Sequence, residues 1–165
     1  MKFTMQEDTE KQKQCMECLQ FLSDNQVDVG LTSKSSARSR FLMAIHENGS
    51  PIMHIPPRPV IKPALSEAED DIAGHLLDAC EKAQDGDMAG VIASLEETGQ
   101  AGVDAIHRYI DSGVPPPNSP VTISGGWIYN RVAKVGVYVS GKGGGKPLYA
   151  TGALYSDFSY EIVNR

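Results

Sequence analysis

The sequence predicts an α+β domain in which a small mixed or antiparallel sheet, formed by early and late strands, carries a central group of about three helices. Three observations predict this class. Apolar residues alternate with polar ones early in the chain, recur at helical spacing through its middle, and alternate again in the last third. With 165 residues the chain is long enough to bury a core of its own, so we expect a single domain over residues 1–165.

The first third of the chain is predicted to hold a helix, a strand, a loop and a short apolar run. Residues 8 to 23 carry apolar or small side chains at helical spacing, and residues 27 to 31 alternate as a half-buried strand does. The serine-rich, basic segment 33–40 is expected to be a flexible loop, and the run 41–45 fits a helix or a strand equally well at this length. The predicted buried face of the helix consists of Cys15, Cys18 or Leu19, and Leu22.

The middle of the chain predicts three helices after an extended, proline-rich segment. Proline fixes its own φ and moves the residue before it out of the α region, so residues 55 to 63 should be extended. Ser66 and Glu69 have the spacing of a capping box at the start of the first helix. The second helix is expected to stop at Gly99 and the third at Gly113, because glycine favours the end of a helix.

The last third predicts two strands with a glycine-rich loop between them. Residues 135 to 139 alternate with period two, and the loop at residues 141–146 contains too much glycine to hold one conformation unaided. The final strand is expected to bury one face and to expose the other. Its buried face is predicted to consist of Leu154, Phe158, Tyr160 and Ile162, and its exposed face of Asp157, Ser159 and Glu161.

Composition narrows the range of functions and locations. The net charge of −6 disfavours a protein that grips nucleic acid, because phosphate binding needs a surplus of Lys and Arg. No apolar run approaches the roughly 20 residues that cross a bilayer, and the N-terminus lacks the apolar segment of a signal peptide. We therefore expect a protein that contacts no membrane and stays in a cytosol with its 3 cysteines reduced.

The glycine-rich loop suggests phosphate binding, since glycine amides and a lysine can surround phosphate oxygens. Its spacing differs from Gly-x-x-x-x-Gly-Lys, Pro147 stands where Ser or Thr would hold magnesium, and no helix is predicted to begin there. We interpret the segment as a flexible loop. Lys142 and Lys146 remain candidates for contact with DNA or an acidic partner.

Metal-binding and redox motifs are incomplete. His46 begins a zinc-protease pattern, but Ser50 stands where the second histidine belongs. Cys15 and Cys18 have the spacing of redox and zinc sites, yet they lie inside the predicted first helix with only Cys80 left over. We interpret the pair as core or half-buried residues, and we expect no metal, no cofactor and no catalytic residue.

Four motifs fixed by proline or glycine follow one another between about residues 27 and 163. In this order they resemble the neck and tail-completion proteins of tailed bacteriophages. The chain departs from the family pattern in detail, with Asn48 where an aromatic residue is common, Val60 where Phe is usual, and Tyr149-Ala150 where Ile-Asp is more frequent. The four motifs are His46-Glu47-Asn48-Gly49, Pro56-Pro57-Arg58-Pro59, Ser119-Pro120-Val121-Thr122, and the segment Lys146 to Leu154.

The resemblance implies a structural virion protein rather than an enzyme. Such a subunit would form a closed ring, hexameric by the symmetry of phage tails, that joins the DNA-filled head to the tail. Its partners would be copies of itself, a connector or head-closure protein, and a tail-terminator or tail-tube protein, with DNA passing through the channel without sequence-specific binding. It would be located in the virion neck, and in the host cytoplasm during assembly. The resemblance also favours a short helix at residues 41–45.

Two other functions stay open at this point: a prophage-derived binding or regulatory module, and, with less support, a small nucleotide-binding enzyme. Arg58 is the foremost candidate for an intersubunit contact, because a guanidinium can bind a carboxylate with two hydrogen bonds. Its alternative is structural, in which it caps a carboxylate or a helix end while the prolines stiffen a crossover. The other candidate contacts are Pro57, Pro59, Lys142, Lys146 and Glu161, and the fold-defining residues are Pro120, Pro147, Thr151, Gly152 and Leu154.

Overall fold

A computed structural model describes residues 5–52, 55–130, 134–141, 143, 148 and 152–165. Helices and two antiparallel strand pairs confirm the α+β class. The helices are α1 Met5–Asp24, α2 Ala37–Asn48, α3 Ile61–Glu67, α4 Glu69–Asp85, α5 Met88–Ser112, α6 Pro120–Ser124 and α7 Ala153–Ser156. The strands are β1 Asn25–Gly30, β2 Gly125–Asn130, β3 Val135–Ser140 and β4 Ser159–Asn164.

The chain divides into two compact units. The first contains Met1–Ser35, Ile61–Ile106 and Phe158–Arg165, and the second contains Ser36–Val60 and His107–Asp157. The expectation that both belong to one domain stays a prediction.

The first unit brings the early and the late strand together. β1 pairs with β4 antiparallel, with Val27 opposite Ile162 and Val29 opposite Tyr160. Helices α1, α4 and α5 bury their small and apolar residues beside this pair, which confirms the predicted packing of helices on a small sheet. The core consists of Cys18, Ala79, Ala83, Val91 and Leu95, with Phe21, Leu22, Val27, Met88 and Ile162 packed against it.

Helix α5 corrects the prediction of two separate helices. It runs without a break from Met88 to Ser112, so Gly99 is not a stop, whereas Gly113 ends the helix with φ 99° as expected. Gly99 serves another purpose, because a Cβ there would overlap the ring of Tyr160. The glycine therefore lets α5 and β4 approach each other closely.

We expect Gly99→Ala to destabilise the first unit, because the added methyl group overlaps the Tyr160 ring. Overpacking of this kind costs about 1–3 kcal/mol. Gly74→Ala on α4 is the matched control, since a Cβ there meets no atom within 4 Å, and this change should stabilise the helix by about 0.5–1 kcal/mol. Urea unfolding of both variants measures the contrast, and equal effects would contradict the close approach.

The start of the central helices also differs from the prediction. The extended segment ends at Val60, and α3 begins at Ile61 because Pro63 lies in the first helical turn, where its missing N–H is tolerated. Ser66 thus lies inside α3 and forms no capping box with Glu69, which begins α4 after Ala68 without a side-chain cap.

The loop predicted at residues 33–40 is shorter than expected. Its last part belongs to α2, because the Ser36 side chain accepts a hydrogen bond from Ser39 N at 3.1 Å and caps the helix at Ala37. The helix continues over residues 41–45, so the short helix implied by the resemblance is confirmed.

The second unit contains the hairpin β2–β3 and the short helix α7. The predicted strand at residues 135–139 is confirmed, and its partner β2 was not foreseen. Leu154 is buried, but it lies in α7 and not in the final strand, because Gly152 with φ 70° precedes a helical turn. The expected roles of Lys142, Lys146, Pro147 and Thr151 concern positions outside the described residues.

Candidate functional site

The motif His46-Glu47-Asn48-Gly49 packs on the motif Pro56-Pro57-Arg58-Pro59. Both motifs lie in the second of the two compact units. Arg58 N donates to His46 O at 2.6 Å, and Val60 N donates to the Glu47 carboxylate at 2.8 Å. Gly49 has φ 70°, and a Cβ there would lie 2.8 Å from Pro57 N. These contacts explain why His-Glu-x-Gly and Pro-x-Arg-Pro occur together in this chain. Both motifs contribute contacts that hold the extended segment beside the end of α2.

Arg58 extends this cluster to a third segment. Its side chain is 7% exposed, and it donates from Nε to Pro116 O at 2.7 Å and from Nη2 to Pro117 O at 3.1 Å. The guanidinium is thus engaged by main-chain carbonyls of its own chain, which favours the structural role, and the expected intersubunit contact stays a prediction. Pro57 and Pro59 alternate with it along the extended segment and are exposed, so they stay candidates for a partner contact.

The motif Ser119-Pro120-Val121-Thr122 begins the short helix α6, which precedes the hairpin β2–β3. Ser119 is the N-cap of α6 and accepts from Thr122 N at 3.3 Å, and Pro120 occupies the first helical position, where its fixed φ suits the helix. Gly125 follows with φ 79° and turns the chain into β2. Pro116, Pro117 and Ser119-Pro120 therefore connect the Arg58 cluster to the hairpin along the chain.

The Glu161 carboxylate is hydrogen-bonded within the first unit. Its carboxylate accepts hydrogen bonds from Ser33 N at 3.1 Å and from Ser33 Oγ at 2.7 Å, which lower its pKa. In the second unit, hydrogen bonds from Ser39 and Ser36 lower the pKa of Asp157 in the same way. The structure thus gives Glu161 an internal partner, and its role at an interface stays a prediction.

We expect Glu161→Gln to lower the melting temperature at neutral pH and to leave it almost unchanged in acid. A carboxylate with a lowered folded-state pKa stabilises the fold above its ordinary value of 4.5, and this contribution is lost as the pH falls through the folded-state pKa. Thermal melting from neutral pH to pH values below 4.5 measures the difference. Glu96→Gln, at an exposed carboxylate on α5, is the control, and a pH-independent difference at Glu161 would contradict the assignment.

The hairpin β2–β3 exposes large apolar side chains on both of its faces. Trp127 is 73% exposed and lies opposite Tyr138, with the two rings in an edge-to-face pair at 5.8 Å. Successive residues of a strand point to opposite sides, so Tyr129 shares the face of Trp127, whereas Ile128 and its partner Val137 form the other. Exposed apolar area of this kind is typical of an interaction surface.

The hairpin also lies in the least acidic part of the chain. None of the 21 acidic residues falls between residues 112 and 156, whereas 4 of the 15 basic residues do. These are Arg131, Lys134, Lys142 and Lys146. Sequence reasoning missed this surface, although the aromatic run Trp127-Ile128-Tyr129 and the absence of acidic residues around it were available as signals.

The described residues offer no alternative site built on a metal. Among them, no group of three or more His, Cys, Asp or Glu side chains is placed to hold an ion. Cys18 is buried, which raises its pKa, and the Cys15 thiol donates to Ala83 O at 3.2 Å, as expected for core and half-buried residues. His107 stacks on Tyr155 at 4.0 Å between ring centres.

Across the described part of the chain, no helix combines the length and the apolar character needed to cross a membrane.

Comparisons with family models, with curated proteins and with solved structures each return no match for this chain. The likeness to phage neck proteins therefore depends on the four motifs.

Proposed function

We propose that this chain is a structural subunit of the neck of a tailed bacteriophage, which assembles as a ring and joins the head to the tail. The observation that carries the proposal is the exposed hairpin β2–β3, whose apolar side chains suit contact with a protein partner. The order of the four motifs supports the phage assignment, and the cluster around Arg58 explains three of those motifs as the means of holding the segments that lead to the hairpin.

A ring subunit needs two different surfaces, because each copy contacts one neighbour with one surface and the next neighbour with another. The hairpin supplies one of them. Aromatic residues such as Trp127 and Tyr138 are the residue types that contribute most to protein interfaces, since they bury a large area at a small entropic cost. The ring would also contact a connector or head-closure protein on one side and a tail-terminator or tail-tube protein on the other.

We expect Trp127→Ser to leave the fold intact and to abolish the joining of heads to tails. The side chain is mostly exposed, so its loss costs the monomer little, whereas an interface aromatic contributes about 2 kcal/mol or more to association. Circular dichroism checks the fold, and electron microscopy of particles made with the variant checks assembly. Full heads beside finished but unattached tails are the expected picture.

Phe41→Ser is the matched control, because Phe41 is also an exposed aromatic residue but lies on α2, away from the hairpin in sequence. It should support normal particles. Particles that assemble normally with Trp127→Ser would contradict the proposed use of the hairpin.

A prophage-derived binding or regulatory module is the second candidate, since an exposed apolar hairpin serves any protein partner. Gene context distinguishes the two. Neighbouring genes for a portal, capsid or tail tube favour the neck, whereas an isolated gene favours a regulator. Titration with a nucleotide tests the less supported enzyme, which requires the glycine-rich segment to bind phosphate.

A further inference from the structure

We propose that the hairpin β2–β3 of one copy binds the outer face of α4 in a neighbouring copy. The inference rests on the proposed function, to which it adds the second of the two surfaces that a ring requires.

The outer face of α4 is exposed. Ala79 and Ala83 are fully buried in the core of the first unit, and the residues on the opposite side of the helix include Leu77, which is 61% exposed. Helical spacing places Gly74 and Glu81 on the same side as Leu77. A Cβ on Gly74 would meet no atom within 4 Å, so the helix surface beside Leu77 is open at this position.

Charge makes the two surfaces complementary. Helix α4 carries six acidic residues and one lysine, whereas the hairpin and its turn carry basic residues and no acidic one. Lys134 is exposed at the turn, directly before β3. The apolar hairpin is bordered by a lysine, and the exposed leucine of α4 is bordered by carboxylates. The two surfaces therefore match in apolar character and are opposite in charge. The acidic residues of α4 are Glu69, Asp70, Asp71, Asp78, Glu81 and Asp85.

A second copy satisfies these surfaces better than DNA does. The hairpin face with Ile128 and Val137 is aliphatic and has no counterpart in a phosphate backbone, and the acidic face of α4 would repel that backbone. Hairpin and helix are different surfaces of the same chain, so the contact between copies is head-to-tail and can be repeated around a ring.

Disulfide trapping between two variants that each carry one added cysteine tests the contact. Both variants carry Cys80→Ser, which removes the exposed native thiol; one adds Val137→Cys on the hairpin and the other adds Leu77→Cys on α4. We expect a cross-linked dimer when the two are mixed and oxidised at high concentration. Met16→Cys replaces Leu77→Cys in the control, because Met16 is an equally exposed apolar residue, 66% against 61%, on α1. Equal yields with both helices, or no dimer with either, would overturn the inference.

Charge reversal provides an independent measurement. Lys134→Glu and Glu81→Lys should each weaken self-association by about tenfold, a loss that corresponds to 1.4 kcal/mol. The double variant should regain most of it, because the exchanged charges attract again. Sedimentation velocity over a concentration series measures the effect, and additive losses in the double variant would contradict the pairing.

The outcomes separate this inference from the proposed function. If Trp127→Ser prevents phage heads from joining to tails while Leu77→Cys traps no dimer, the neck function stands and the α4 contact is wrong. If heads join to tails normally in particles made with Trp127→Ser, the proposed function itself fails. Fluorescence anisotropy with a labelled DNA duplex completes the test, because binding that is lost in Lys134→Glu would assign the hairpin to DNA and overturn the inference.

Discussion

Replacing Phe158 with Asp is expected to unfold the first unit. Phe158 is 5% exposed and directly precedes β4, the strand that pairs with β1. Loss of a buried Phe side chain costs about 3–5 kcal/mol, and a carboxylate left in its place without a partner adds to that cost. The total approaches the whole stability of a typical domain, about 5–15 kcal/mol. Circular dichroism and thermal melting at neutral pH measure the loss.

The matched control is the same substitution at an exposed phenylalanine. Phe41 on α2 is 66% exposed, so Phe41→Asp should keep the far-ultraviolet spectrum and most of the melting temperature. Phe158→Leu, which keeps an apolar side chain, should lie between the wild type and Phe158→Asp. A Phe158→Asp variant that melts like Phe41→Asp would mean that the end of the chain is not packed as described.

The sequence alone predicts that Glu161→Lys is tolerated, since Glu161 alternates with the buried residues of the last strand. The structure modifies this expectation. Glu161 alternates with Tyr160 and Ile162 along β4, but all three are half-buried, so the predicted contrast between a buried and an exposed face is wrong within this strand. The two hydrogen bonds that Glu161 accepts from Ser33 would be lost in the lysine variant. We therefore expect a smaller loss of stability than for Phe158→Asp, and not a neutral change.

The parts of the fold that the sequence predicts correctly are those that local patterns determine. Helix α1 and strand β1 show clear periods and end at a polar residue or glycine, so their positions follow from the chain itself, whereas the final strand begins only at Ser159, after the helical turn α7. The break assigned to Gly99 was wrong because the ring of Tyr160, which is distant in sequence, determines the need for glycine there. Strand β2 was missed because the pair Gly125-Gly126 disfavours a strand, and its pairing with β3 overrides that preference.

At the candidate site, too, local sequence patterns predict the motifs but not the distant residues that they contact. Proline and glycine motifs can be found by inspection, but their partners cannot, since the carbonyl groups that bind the Arg58 guanidinium belong to residues 58 and 59 positions further along the chain. An exposed arginine at an interface and a buried arginine that anchors a loop look alike in sequence. The aromatic hairpin escaped notice for a related reason: Trp127 suggests a core residue in sequence, and only its exposure shows a surface.

Arg58→Ala is expected to destabilise the second unit by about 3–6 kcal/mol, because each hydrogen bond from a charged donor contributes about 1.5–3 kcal/mol and two are lost. The sequence alone suggested the opposite, an intact fold with a defect in assembly. Thermal melting and urea unfolding decide between them. Arg38→Ala, at an exposed arginine on α2, is the control and should change stability by less than about 0.5 kcal/mol.

Arg58→Lys tests whether the geometry of the side chain matters as well as its charge. A lysine ammonium keeps the charge but lacks the planar fork that reaches Pro116 O and Pro117 O together, so it should recover only part of the lost stability. The loosened segment Pro115–Pro117 leads through α6 to the hairpin, and for this reason we expect assembly to fail in proportion to the stability loss. A variant at Arg58 that melts like the wild type and still fails to join heads to tails would return this residue to the interface.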